Sequence, residues 1–98
     1  MSPHELTAIE ALGVAIRAEM DAAEVYAELA SRVPNLFLRQ KILLLSKEKL
    51  QHKRILEEAY KVQFPQVPLV LPSSQLPAAI SCRADREHLS AREIAAGS

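Results

Sequence analysis

The chain contains no tryptophan, only two glycines, one cysteine, two tyrosines and two phenylalanines in 98 residues. Each scarcity excludes something. Two glycines cannot supply a phosphate-cradling loop, and no serine nucleophile elbow is present. The lone Cys82 rules out an internal disulfide and a cysteine zinc pair, and it fits a reducing compartment. Four aromatic rings are too few for a single-strand nucleic-acid stacking platform. Net charge is also absent: twelve basic and twelve acidic side chains cancel. No overall field therefore favours nucleic acid or an anionic membrane. The apolar run Ile42–Leu45 is far too short to span a bilayer, and no charged leader followed by an apolar run opens the chain. A single small soluble domain, cytoplasmic and without nucleic-acid or membrane partners, is the expectation.

What is present is helical pattern. Ser2 with Glu5 and Thr7 with Glu10 both have the capping-box spacing, and Pro3 suits a first helical position. The spacing predicts a helix from Thr7 to about Val33, with Ser2–Pro3 as a short lead-in turn. Its seam reads Leu12, Ile16, Glu19, Ala23, Tyr26, Ala30, Val33. Pro34 stops that helix and Asn35 can cap the next, which is predicted from Leu36 to about Val62. Two helices of this length joined by a tight turn must lie antiparallel. The fold class is all-α: a long-helix hairpin, residues 1–62.

Beyond it, Pro65, Pro68, Pro72 and Pro77 exclude helix and predict an extended segment over 63–86. Val67, Leu69, Val70 and Leu71 suggest that it lies against a bundle. Residues 87–98 echo the opening of the first helix. Leu89-Ser90-Ala91-Arg92-Glu93-Ile94-Ala95 matches Leu6-Thr7-Ala8-Ile9-Glu10-Ala11-Leu12, so the segment reads as the start of a second repeat.

The candidate chemistry lies mid-helix. The second helix has an expected buried stripe of Leu38, Ile42, Leu45, His52, Leu56 and Ala59, with Lys49 on the same seam and Glu48 one position off it. A histidine, an amine and a carboxylate in an apolar stripe need partners, because buried charge is costly unless paired or metal-bound. Antiparallel packing puts Glu19 at the level of Lys49 and His52. A two-helix hairpin cannot bury both faces, so a second copy closing a four-helix bundle is expected, as a homodimer or a larger homo-oligomer. Glu24, Glu28, Glu57 and Glu58 read as solvated faces or surface ion pairs, and His4, His88 and Cys82 as chemically silent.

The segments AIRAEMDAAEVYAELA at 15–30 and LSKEKLQHKRILEEAY at 45–60 resemble the ferritin-like superfamily, in particular its rubrerythrin-type and encapsulated-ferritin-type hairpins. The resemblance covers roughly residues 8–62. It implies an iron cofactor with ferroxidase or peroxide-linked di-iron chemistry. A glutamate ligand seven residues before a tyrosine corresponds to Glu19 and Tyr26, and the family's histidine ligand corresponds to His52. The family's remaining glutamate, three residues before the histidine, is Lys49 here. Two repairs are open. Glu48 can swing in as a substitute, giving a metal set of Glu19, Glu48 and His52. Alternatively, the Lys49 ammonium replaces the cation and pairs with Glu19 in a non-catalytic, self-associating module, which charge counting favours.

Overall fold

The computed structural model describes residues 2–77. Two helices account for most of them, α1 (Pro3–Arg32) and α2 (Leu36–Gln63), and no strand occurs among the described residues. The proposed repeat at 87–98 and the 78–86 portion of the proline-rich segment, with Cys82 and His88, lie outside the described residues.

The first helix begins earlier than its spacing predicts. Ser2 is extended and its Oγ accepts the Glu5 N–H at 3.2 Å, with Pro3 in the first turn. Thr7 does not cap. Its hydroxyl donates to the Pro3 carbonyl at 2.9 Å, a back-bond compatible with an uninterrupted helix. One good cap before a helix-compatible proline was enough, and the second capping box became interior sequence. At the other end the Val33 N–H closes on the Ala30 carbonyl at 3.2 Å, and Pro34 has no N–H to continue. Asn35 Oδ1 then accepts the Leu38 N–H at 2.9 Å and starts α2. Arg39 fastens the turn, donating from Nε (3.0 Å) and Nη2 (2.9 Å) to the Val33 carbonyl.

The helices pack antiparallel along a narrow seam that is mostly small and aliphatic, with Tyr60 at the far end of α2. Ile16, Ala23 and Ala30 of α1, spaced by seven, are buried, as are Ile42, Ser46 and Tyr60 of α2. Ser46 Oγ donates to the Ala23 carbonyl at 2.9 Å, which requires the backbones to approach closely and gives the buried hydroxyl a partner. The stripe expected on α2 is therefore corrected. Ile42 is in the seam and Leu56 half-buried, but Leu38, Leu45, His52 and Ala59 are exposed beside it. The physical reason is excess: α2 carries leucines in several adjacent columns, so periodicity alone does not select the one that meets α1.

Residues 64–77 return along α1 without forming helix or strand. The Tyr60 hydroxyl donates to the Pro68 carbonyl at 3.2 Å, and the Tyr60 and Phe64 rings lie 5.5 Å apart. Arg17 Nε donates to the Pro72 carbonyl at 2.8 Å. Asp21, buried, accepts Ser74 Oγ at 2.8 Å and the Gln75 N–H at 2.9 Å. Gly13 completes the track, for a Cβ there would stand 3.4 Å from the Val70 carbonyl oxygen. Gly13, Arg17 and Asp21 are four residues apart, so this strap follows one ridge of α1 toward the helix turn.

Candidate metal centre

The strap covers one flank of the hairpin. The other flank is open, and the candidate site lies there. Asp21 is rotated about 200° from Glu19 on the helix wheel, so Glu19 faces away from the strap. Its Oε2 lies 3.2 Å from Nδ1 of His52, joining the middles of α1 and α2. The Glu19 side chain is 23% exposed and that of His52 52% exposed, so the pair forms part of the surface of a single chain.

The surroundings of the pair follow from heptad spacing. Leu12, Glu19, Tyr26 and Val33 form a half-buried column on α1, and Leu38, Leu45, His52 and Ala59 form an exposed column on α2. Given the Glu19–His52 contact, antiparallel register sets Leu12 level with Ala59, Tyr26 with Leu45, and Val33 with Leu38. One polar rung thus interrupts three apolar ones. Tyr26, expected as core packing, stands in this half-covered column one heptad from Glu19.

The remaining candidates are placed differently. Glu48 is exposed and Lys49 half-buried on α2. Among the described residues, no group of three or more histidine, cysteine, aspartate or glutamate side chains gathers. One chain therefore brings Glu19 and His52 together and leaves Glu48 apart. The Glu19–Lys49 ion pair, the alternative expected in a self-associating module, does not form within the single chain, where Glu19 faces His52 instead. A helical side chain leans toward its own N-terminus, which brings the residue-52 imidazole back over the Glu19 level.

Elsewhere, Glu28, expected on a solvated face or in a surface ion pair, is buried and forms an ion pair with the exposed Arg32, whose Nε donates to it at 2.9 Å. Glu57 pairs with Lys53 at 3.6 Å, as its helical spacing suggests. His4 is exposed at the start of α1. Asp21 and Ser46 are the working polar residues that the pattern did not single out. Asp21 lies off the seam, and only its contact with a segment more than fifty residues away gives it a role.

The helices also differ in charge. α1 carries six acids against two bases, and α2 seven bases against three acids. The neutrality of the chain conceals a dipolar hairpin, acidic on one rod and basic on the other.

A long antiparallel helix pair with a carboxylate facing an imidazole at mid-length has the layout of a ferritin-like helical hairpin. The rubrerythrin family model matches residues 10–96, and the chain belongs to that family. Neither a curated protein nor a solved structure matches it. No helix among the described residues is long and apolar enough to cross a membrane.

Proposed function

We propose that this chain is a ferritin-like iron-binding hairpin that works as a pair, with Glu19 and His52 of each copy meeting at the centre of the closed bundle. The observation that carries the reading is the 3.2 Å contact between a carboxylate and an imidazole in the only polar rung of the open columns. A carboxylate oxygen and an imidazole nitrogen suit iron. Among the described residues one chain brings two such donors together, which fits half of a shared centre. A second copy doubles the set to two carboxylates and two imidazoles, with Glu48 near enough on the wheel to contribute by a side-chain swing.

The partner is a second copy on grounds of charge and shape. A two-fold pairing through the open columns lays the acidic α1 of one copy beside the basic α2 of the other, and covers Leu12, Tyr26, Leu38 and Leu45. Iron held between the copies would supply electron transfer to dioxygen or peroxide. The chain's own contribution is to position the donors on rigid helices and exclude water with the apolar rungs. Lys49 works against it, since an ammonium close to the donors repels a cation.

That half-buried ammonium supports a second reading, in which Lys49 of each copy takes the place of the metal charge and the bundle is a non-catalytic association module. One experiment separates the two. Ferrous iron is titrated into the protein under air, with Lys49→Glu in parallel and sedimentation on both. Iron uptake with growth of ferric absorbance supports the first reading. A stable dimer that takes up no iron until Lys49 is replaced supports the second. A monomer without uptake in either protein overturns both.

A further inference from the structure

The face of α2 that points away from α1 is apolar as well. Phe37, Leu44, Ile55 and Val62 lie about 160–180° around the helix from Ser46, the residue that meets α1. They are 70%, 51%, 65% and 74% exposed. His52 is rotated about 60–80° from all four, so a bundle closed over His52 leaves this face on its outside. A helix that is apolar on so many sides is one that its surroundings cover.

We infer that a second copy covers this face, through an antiparallel two-fold contact of α2 with α2. The spacing selects that occupant. Phe37 and Val62 are centred between Lys49 and Leu50, and so are Leu44 and Ile55. A two-fold axis at that point sets Phe37 of one copy level with Val62 of the other, and Leu44 level with Ile55, each match made twice. Charge follows the same centre. Lys41 and Glu58 flank the face on opposite edges, share its midpoint, and form no ion pair among the described residues. The two-fold contact brings each ammonium level with a carboxylate, and the Lys41 ammonium already lies over the Phe37 ring, 5.2 Å from its centroid. Glu48 and Gln51 share the midpoint too, a carboxylate level with an amide donor. That polar centre makes this the weaker of the two contacts between copies, so it forms as concentration rises. It needs neither iron nor the pairing over His52. With that pairing it links pairs into larger assemblies, and without it the product is a dimer.

Sedimentation of the full chain over a range of concentration tests this. The mass of the native protein is expected to rise, and Ile55→Asp to weaken that association at least about tenfold by burying an unpaired charge. Ile55 lies outside the seam, so helix content should hold. Val70→Asp, at an exposed strap residue off this face, is the control expected to change nothing. Leu45→Glu separates the two contacts: it breaks the pairing over His52, and the association it leaves at high concentration should still be sensitive to Ile55→Asp. Disulfide formation gives the register. In a Cys82→Ser background, Leu44→Cys and Ile55→Cys chains are mixed and oxidised in air. They are expected to cross-link to each other at least about tenfold faster than to themselves, since like positions stand about 17 Å apart along the paired helices. A native protein whose mass does not rise with concentration leaves the face to another occupant and overturns the inference. Growth that Ile55→Asp leaves untouched overturns it, as does cross-linking that is as fast between like positions as between unlike ones.

Discussion

Glu19 Oε2 and His52 Nδ1 stand 3.2 Å apart across the hairpin, on residues separated by 33 positions in sequence. When Nδ1 carries the ring proton it donates to the carboxylate, and Nε2 is left as an acceptor. A carboxylate holding one imidazole nitrogen so that the other can bind is the arrangement that orients histidine ligands in metal sites. Within one chain Glu19 would thus orient His52 through Oε2 and keep Oε1 for the metal that the pair is proposed to hold. Glu19→Gln is expected to reduce ferrous iron uptake at least about tenfold, the usual range for losing such a carboxylate. The melting temperature is expected to change little, because a half-exposed pair contributes less than about 1 kcal/mol. Metal analysis after desalting, with a thermal melt by circular dichroism, reads both.

Lys49 is the chain's main departure from the pattern that its family resemblance implies. Lys49→Glu exchanges a repelling charge for a donor beside Glu19 and His52. Iron affinity is expected to rise at least about tenfold, roughly 1.4 kcal/mol. Since Lys49 forms no ion pair with Glu19 within the chain, the same change is expected to leave the dilute metal-free protein almost as stable. A loss of several kcal/mol at low concentration would reinstate the internal pair. Ferrous titration and urea denaturation decide the two halves separately.

Asp21 tests the strap without reference to iron. It is buried and accepts two hydrogen bonds from residues 74 and 75. Asp21→Ala removes a charged acceptor and orphans a backbone N–H, with an expected cost of about 2–3 kcal/mol. Asp21→Asn keeps one acceptor and is expected to cost less. Hydrogen exchange should show faster opening of the Gln75 and Leu76 amides in both variants, with α1 and α2 still protected.

The hairpin was legible because its punctuation is local. Ser2, Pro3, Pro34 and Asn35 act within a few residues of themselves, so the ends of both helices fall within a few positions of their sequence signals. The Glu19–His52 meeting was legible for a related reason, since a short turn and a fixed rise per residue set the level of every residue on the opposite helix. The burial on α2 was not. Leu43, Leu44, Leu45, Leu50 and Ile55 place apolar side chains all round the helix, and which of them meets α1 depends on small residues, Ser46 against Ala23, that carry no hydrophobic signal. Asp21 was invisible for the same kind of reason: its partners come from the strap, whose path no periodicity encodes.

That close approach is itself testable. Ser46→Leu would force a larger side chain between α2 and the Ala23 backbone and remove the hydroxyl's hydrogen bond. Overpacking of this kind costs about 1–3 kcal/mol, and the Ala23 backbone against which Ser46 packs cannot yield by a rotamer change. Ser46→Ala keeps the approach and loses only the hydrogen bond, an expected cost of about 1 kcal/mol. A denaturant series on both variants should rank them in that order.

The open columns give the last prediction. Tyr26 is half-buried and Leu45 exposed, one heptad from Glu19 and His52 in opposite sequence directions on the two helices, hence on the same side of the polar rung. If two copies close on this face, Leu45→Glu places a carboxylate in the apolar rung next to the donors, where it meets its two-fold mate or an apolar surface. Either is expected to dissociate the pair by at least about tenfold, since a buried unpaired charge is among the costliest single changes. Because Leu45 lies outside the seam between α1 and α2, the monomer should keep its helix content. Sedimentation would then show a monomer, and iron uptake should fall with it even though Glu19, Glu48 and His52 are intact. Uptake that survives in a monomeric Leu45→Glu protein would locate the metal within one chain, and the paired centre would have to be abandoned.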